Sequence, residues 1–277
     1  MTQTRSVKRR GGFALASAIS ASLVAAACGG GGETARPSGS AVGSLPVADE
    51  PVVLEPSDFS TEIANRYWPM EPGTRWTYRE IDEDGNEVTV MVTVSSETKR
   101  IANGITARIV RDTVTRNGEL VEDTFDWYAQ DVDGNVWYLG EETAEFENGE
   151  VASTAGSFEA GVDGALPGII MPADPGPGLR YRQEYYAGEA EDNGEVLSTD
   201  EQAQVPFGHF DEVLLTKDTI TIEPDVLEYK LYAPGIGLVL ALGISGGGGR
   251  EELVTMETVG AEAARRAGTA PLGERYP

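Results

Sequence analysis

The stretch FDWYAQDVDGNVWYLGE, residues 125–141, carries the local pattern best able to do chemistry: acid, any residue, acid, Gly, Asn, set between aromatic pairs. Oxygens at alternate positions are what a calcium loop requires. Counted from Asp131, Asp133 and Asn135 fill the third and fifth places and Glu142 the twelfth. The sixth place, however, is Val136 instead of Gly, and the strand-like VWYL follows where a calcium loop needs a helix. The same word recurs as DEDGN at 82–86, with Thr93 at its twelfth place. Asp-Gly and Asn-Gly tolerate positive φ, so both words are expected to be hairpin turns, and no metal site is expected.

Other reactive side chains are few. His209, in VPFGHFDEV, is the single histidine and Cys28 the single cysteine. A nucleophile-histidine pair would need that histidine, no serine stands in a G-x-S-x-G context, and zinc would be left with carboxylates as its remaining ligands. His209 is expected to be a turn residue, and neither a catalytic residue nor a cofactor is expected. Paired carboxylates remain, but 46 acids offer too many pairs for spacing to select one. GEAED (188–192), FDE (210–212) and EETAEFE (141–147) read as solvated turns and strand edges.

The aromatic residues give the better lead. Trp127 and Tyr128, Trp137 and Tyr138, and Tyr185 and Tyr186 are chain neighbours, so along a strand each pair must face opposite sides. One set can fill a core. The other either packs sheets together or lines a groove for a small apolar or sugar-like ligand, with Trp127, Tyr128, Trp137, Tyr138 and Tyr185 as the candidate contacts.

The elements that would position these groups are legible as strands. Val88, Val90, Val92 and Val94 alternate with Thr89, Met91 and Thr93, the period of a strand with one buried face. TARIVRDTVT, ELVEDTFDWYA, RYRQEYYA, DTITI, LEYKLYA and ELVTMETV continue in the same β-branched and aromatic style. RNGE, ENGE and DNGE punctuate them as turns. SDFSTEIANRYW (57–68) is the best helical candidate. The expected class is mainly antiparallel β, in two tandem similar curved, half-barrel-like sheet units.

The tandem arrangement rests on three anchors. IVRDTVT (109–115) matches LLTKDTIT (214–221), placing Asp112 with Asp218. Tyr128-Ala129 matches Tyr232-Ala233, and PGTRWTY matches PGLRYRQ, Gly73 with Gly178. The offsets of 106, 104 and 105 keep one order and one spacing. The units are drawn at 57–163 and 179–260. GALPGIIMPADPGPG, within 164–178, forms a Pro/Gly-rich crossover expected to hold no regular strand, and residues 261–277 form a loose tail.

YAQDVDGNVWYLGE, EAGVDGALPGIIMPADP, YRQEYYAGEAED and YAPGIGLV resemble segments of a family of uncharacterised bacterial secreted proteins, several of them lipoproteins. That resemblance, over about residues 65–245, implies export and brings no activity, substrate or catalytic residue with it.

The N-terminus agrees with export. Arg5, Lys8, Arg9 and Arg10 precede FALASAISASLVAAA (13–27), an apolar run too short to span a bilayer, and residues 1–27 read as a cleaved signal peptide. VAAAC resembles a bacterial lipoprotein signal, with Ala25 where Leu is more usual; the resemblance implies lipidation of Cys28. Residues 28–56 then form a Gly-, Ser- and Pro-rich linker. Cleavage removes four positive charges and no negative ones, taking the net charge from −25 to −29. So acidic a surface repels nucleic acid, and no nucleic-acid partner is expected. The composition leaves oligomeric state open. The expectation is an acidic lipoprotein anchored to the outer face of a bacterial membrane through Cys28, acting as a binding or scaffolding module without catalysis. The alternative is a carboxylate-dependent hydrolase of envelope or extracellular polymer, which needs two converging acids with one desolvated.

Overall fold

The valines at 88, 90, 92 and 94 are buried on one side of a strand, as their alternation predicts. In the computed structural model, which describes residues 45–81, 85–246 and 249–276, that strand belongs to a large antiparallel sheet. The signal segment and Cys28 lie outside the described residues. A 3-10 turn at Pro56–Asp58 leads to three two-residue strands, β1 (Phe59–Ser60), β2 (Ala64–Asn65) and β3 (Trp68–Pro69). An up-and-down run follows: β4 (Thr74–Ile81), β5 (Glu87–Arg100), β6 (Thr106–Arg116), β7 (Glu119–Asp131) and β8 (Val136–Glu147). Against β8 lie β9 (Glu150–Ser153), β10 (Phe158–Glu159) and β11 (Leu166–Met171). Then come β12 (Arg180–Arg182), β13 (Glu184–Tyr185), β14 (Asp192–Val205), β15 (Gly208–Ile220), β16 (Leu227–Ala233), β17 (Gly237–Ser245) and β18 (Arg250–Thr258), followed by helix α1 (Ala261–Ala267).

Sixteen strands share one sheet, with the path β12-β14-β15-β16-β17-β18-β4-β5-β6-β7-β8-β11-β13 and with β1, β9 and β10 paired at its side; β2 and β3 form a small second sheet. The two runs are therefore continuous through the β18–β4 ladder, from Arg250 opposite Ile81 to Thr258 opposite Thr74. The end strands β12 and β13 are consecutive in the chain. Residues 180–182 pair with β14 and residues 184–185 with β11, so this short segment brings the sheet nearly to closure as a barrel. Gly168 permits the approach: a Cβ there would lie 2.1 Å from the Gln183 carbonyl oxygen.

Four segments differ from expectation. DNGE (192–195) is not a turn but the start of β14, paired residue by residue with Lys217, Asp218, Thr219 and Ile220 of β15. Residues 57–68 are not a helix. Ile63, Tyr67, Trp68 and Met70 are instead buried over one end of the barrel, and that burial outweighs the local propensity. Asn65 Nδ2 donates to the carbonyls of Gly134 and Pro172, and the Gly235 amide donates to the Arg66 carbonyl, so the segment is tied to the loops at that end. The Trp68 ring lies 5.7 Å from Tyr128 and 5.8 Å from Tyr232.

The Pro-rich crossover contains a strand, β11. Pro167 is tolerated because only β13 pairs with it there; pairing with β8 begins at Gly168.

The C-terminal tail is docked. α1 packs on β5 through buried Ala264 and Ala267, and Ser95 Oγ donates to the Ala264 carbonyl at 2.9 Å. Small residues and backbone carbonyls make this contact, so it carries no apolar stripe. Among the described residues no helix is long and apolar enough to cross a membrane.

Candidate functional site

Strand alternation sorts the candidate rings as expected, and both faces are covered. Tyr128 and Tyr138 stack at 5.0 Å inside the barrel. On the outer face Lys99 Nζ stands 3.7 Å from the Trp127 ring centre, and Phe59 packs edge-on to Trp137 at 6.1 Å. All four of these rings are buried, while Tyr185 is half-buried.

The loop at 131–135 is a turn held by its own acid. Asp131 accepts from the amides of Asp133 and Asn135, from Asn135 Nδ2 and from the Trp137 indole at 2.7–3.0 Å, so both carboxylate oxygens are occupied. His209 is exposed at the β14–β15 hairpin, with Nε2 3.5 Å from Asp211. Among the described residues no three or more His, Cys, Asp or Glu side chains are grouped to hold a metal ion.

The chemistry lies where the acids stand in phase with core residues. Glu80 follows Trp76 and Tyr78 on β4, Asp112 lies between Val110 and Val114 on β6, Asp126 precedes Tyr128 on β7, and Glu251 precedes Leu253 on β18; all are buried. Acids also meet across strands: Glu80 is opposite Glu251, Asp126 opposite Glu141, and Asp218 opposite Glu228. Glu184 and Asp192 form a further neighbouring pair at the closure. The interior is thus girdled by carboxyl groups, with tyrosines beside them.

Like charges in a low dielectric cannot all be ionised, and the site behaves accordingly. Burial lifts Asp126 and Asp192 to about 7 and Glu251 to about 8. Glu80 and Glu228 reinforce the shift at Glu251. Burial and then the charges of Asp126, Glu122 and Glu251 hold the Asp112 carboxyl well above its usual range; burial and then Asp192 do the same to Glu184. Hydrogen bonding agrees. Tyr138 Oη lies 2.9 Å from both Asp126 Oδ1 and Glu141 Oε2. A phenol has one proton to donate, so one of these carboxyls is protonated and donates in return.

Two parts of the girdle differ sharply. Asp218 accepts from Lys230 Nζ at 3.0 Å, Thr216 Oγ1 at 2.8 Å and Gln183 Nε2 at 3.1 Å, and Lys230 also reaches Glu228 at 3.5 Å. Burial alone would lower the Lys230 ammonium, but the charges of Asp218 and Glu228 overcome it and hold the ammonium well above its usual range. Asp112 and Glu251, 5% and 3% exposed, have no donor on either oxygen. The Tyr181 hydroxyl, 1% exposed, also lacks a partner. Its ring lies over Gly194, whose Cβ would come 2.6 Å from it.

Sequence reasoning treated Asp192 and Glu141 as members of solvated acidic runs and passed over Asp112, Asp126 and Glu251 as site residues. The available signal was phase: Asp112, Asp126, Asp192 and Glu251 share the parity of buried neighbours along their strands, whereas Glu141 is brought opposite Asp126 by the register irregularity between β7 and β8.

The fold and this interior define a nearly closed antiparallel β-barrel with an acidic lining. No family model and no curated protein matches the chain. Among solved structures it is similar to a "putative lipoprotein" from Parabacteroides distasonis ATCC 8503, at 13% identity over 70% of this chain and 99% of that one, with a TM-score of 0.38. A likeness at that level carries no argument about activity.

Proposed function

We propose that the chain is an exported binding module of the bacterial envelope, anchored through a lipid on Cys28, and that its binding place is the barrel interior instead of a surface groove. The supporting observation is the pair of buried, donorless carboxyls at Asp112 and Glu251. Buried acceptors are costly without partners, and a site that retains them is arranged around something that supplies donors. The aromatic set at Trp127, Tyr128, Trp137 and Tyr138 then acts mainly as the wall that shapes this interior. Two measurements test the proposal. Metabolic labelling with an alkyne fatty acid marks the wild type and not Cys28→Ala, and native mass spectrometry of protein purified from its own cells shows a copurifying small molecule. An unlabelled wild type removes the anchor; a protein with no bound molecule, before and after ligand screening, removes the binding role.

A second reading, hydrolysis by carboxylates, is favoured by one feature: Asp126, raised to about 7, stands beside Glu141 on a shared tyrosine. A general acid needs such a raised value. Turnover of envelope glycans that Asp126→Asn abolishes would establish it over the binding reading.

A further inference from the structure

We propose that the acidic interior binds a linear aliphatic polyamine, with one ammonium group placed against Asp112 and Asp126 as Lys230 is placed against Asp218. This deepens the binding reading above and rests on it.

The register supplies the comparison. Asp112 is opposite Thr124 across β6–β7, and Asp126 lies two residues on. Asp218 is opposite Glu228 across β15–β16, and Lys230 lies two residues on. One ladder therefore carries its own ammonium, hydrogen-bonded to an acid, while the corresponding position of the other is a second acid. The chain itself shows that this interior accepts an ammonium ion, and it leaves Asp112 and Glu251 without donors. The Tyr181 hydroxyl, on the Asp218 and Lys230 side of the lining, is likewise buried without a partner, so unmet hydrogen-bonding capacity extends beyond the two carboxyls.

The spread of the acids selects the kind of cation. A metal ion needs several ligands converging on one point, and among the described residues no such grouping exists. The carboxyls are instead distributed round the lining with tyrosine faces between them. Separated ammonium groups joined by methylenes match that distribution, since aromatic faces attract both the cation and the alkyl linker. The side chains of Lys230 and Glu228 are 14% and 13% exposed, so the lining is not wholly sealed beside them.

The test uses the full chain extracted from membranes in non-ionic detergent, titrated calorimetrically with spermidine, putrescine and calcium at about 0.15 M salt, where exposed charges are screened. The expected result is saturable spermidine binding with proton release, because an ammonium guest favours ionised carboxyls. Asp112→Asn is expected to weaken it about tenfold or more. Glu150→Gln, an exposed acid on β9, is expected to leave it unchanged. Asp126→Lys, which builds in the missing ammonium, is expected to fold and to lose spermidine binding; Asp112→Asn decides the matter if that variant does not fold. Absence of saturable binding overturns the proposal, as does an equal loss in Glu150→Gln or displacement of spermidine by calcium at lower concentration. A neutral or anionic molecule found by native mass spectrometry would overturn the polyamine and leave the binding module standing.

Discussion

Arg111 and Asp123, neighbours across β6 and β7, form a fully buried two-bonded fork, Nε to Oδ1 at 2.8 Å and Nη2 to Oδ2 at 2.5 Å. The fork also holds the C-terminal segment: Arg111 donates to the carbonyls of Ala270, Pro271 and Glu274, and Asp123 accepts from the Gly273 amide at 2.7 Å. Removing one member leaves the other buried without its counter-charge. Asp123→Ala is expected to cost about 3–5 kcal/mol in denaturant unfolding and to expose the tail after residue 260 to limited proteolysis. An intact tail with unchanged stability would sink this account.

Stability should fall as pH rises from mildly acidic to mildly basic. Asp126 and Asp192 titrate at about 7 and Glu251 at about 8 in the folded chain, well above ordinary carboxyls. Below about pH 4 they are protonated in both states and exert no differential effect. Above it the unfolded chain releases protons that the folded chain retains, so folding loses stability through the window up to about pH 8. Melting temperatures measured from pH 5 to 8 should decline steadily; a rise over that range contradicts the buried-acid lining.

Neutralising a donorless carboxyl should stabilise the fold. Glu251→Gln keeps the shape and removes a charge facing Glu80 and Glu228. A gain of about 1–3 kcal/mol at pH 8, shrinking toward pH 5, is expected from chemical denaturation. Equal effects at both pH values would mean that the charge is not the cause.

Trp68 closes one barrel end against Tyr128 and Tyr232. Trp68→Ala is expected to cost about 3–5 kcal/mol, with loss of near-ultraviolet dichroism from the tyrosine layer. A mutant with native dichroism and stability would show that the segment merely rests on the barrel.

Gly168→Ala drives a methyl group into the Gln183 carbonyl at the closure. Backbone on both sides leaves little room to yield, so destabilisation of about 1–3 kcal/mol or more is expected. Hydrogen exchange should rise first at residues 180–186; protection unchanged there would refute the close approach.

Much of the sheet was legible because valine alternation and Asn-Gly turns are local signals. Asn117 and Asn148 adopt the positive φ, 52° and 55°, that their turns require. The segment 57–68 was not legible as a plug: its spacing mimics a helix, and only the open barrel end explains why Ile63, Tyr67 and Trp68 leave that geometry. The docked tail was not legible because its contacts are made by alanines and backbone carbonyls, which leave no apolar periodicity in the sequence. The acidic lining was hidden for a related reason. An acid on a strand is ordinarily solvent-facing, and the parity linking Asp112 to Val110 and Val114 becomes meaningful once the sheet curls inward.

Arg182 joins the closing segment to the chain that enters the domain. Its amide donates to the Pro46 carbonyl, Nη1 donates to Ala48 and Glu50, and Nε donates to Pro167. Under the proposed anchor at Cys28, a pull along the linker would meet the described fold at this clasp, where hydrogen bonds from one arginine, and not a strand ladder, tie the entering chain to the closing segment.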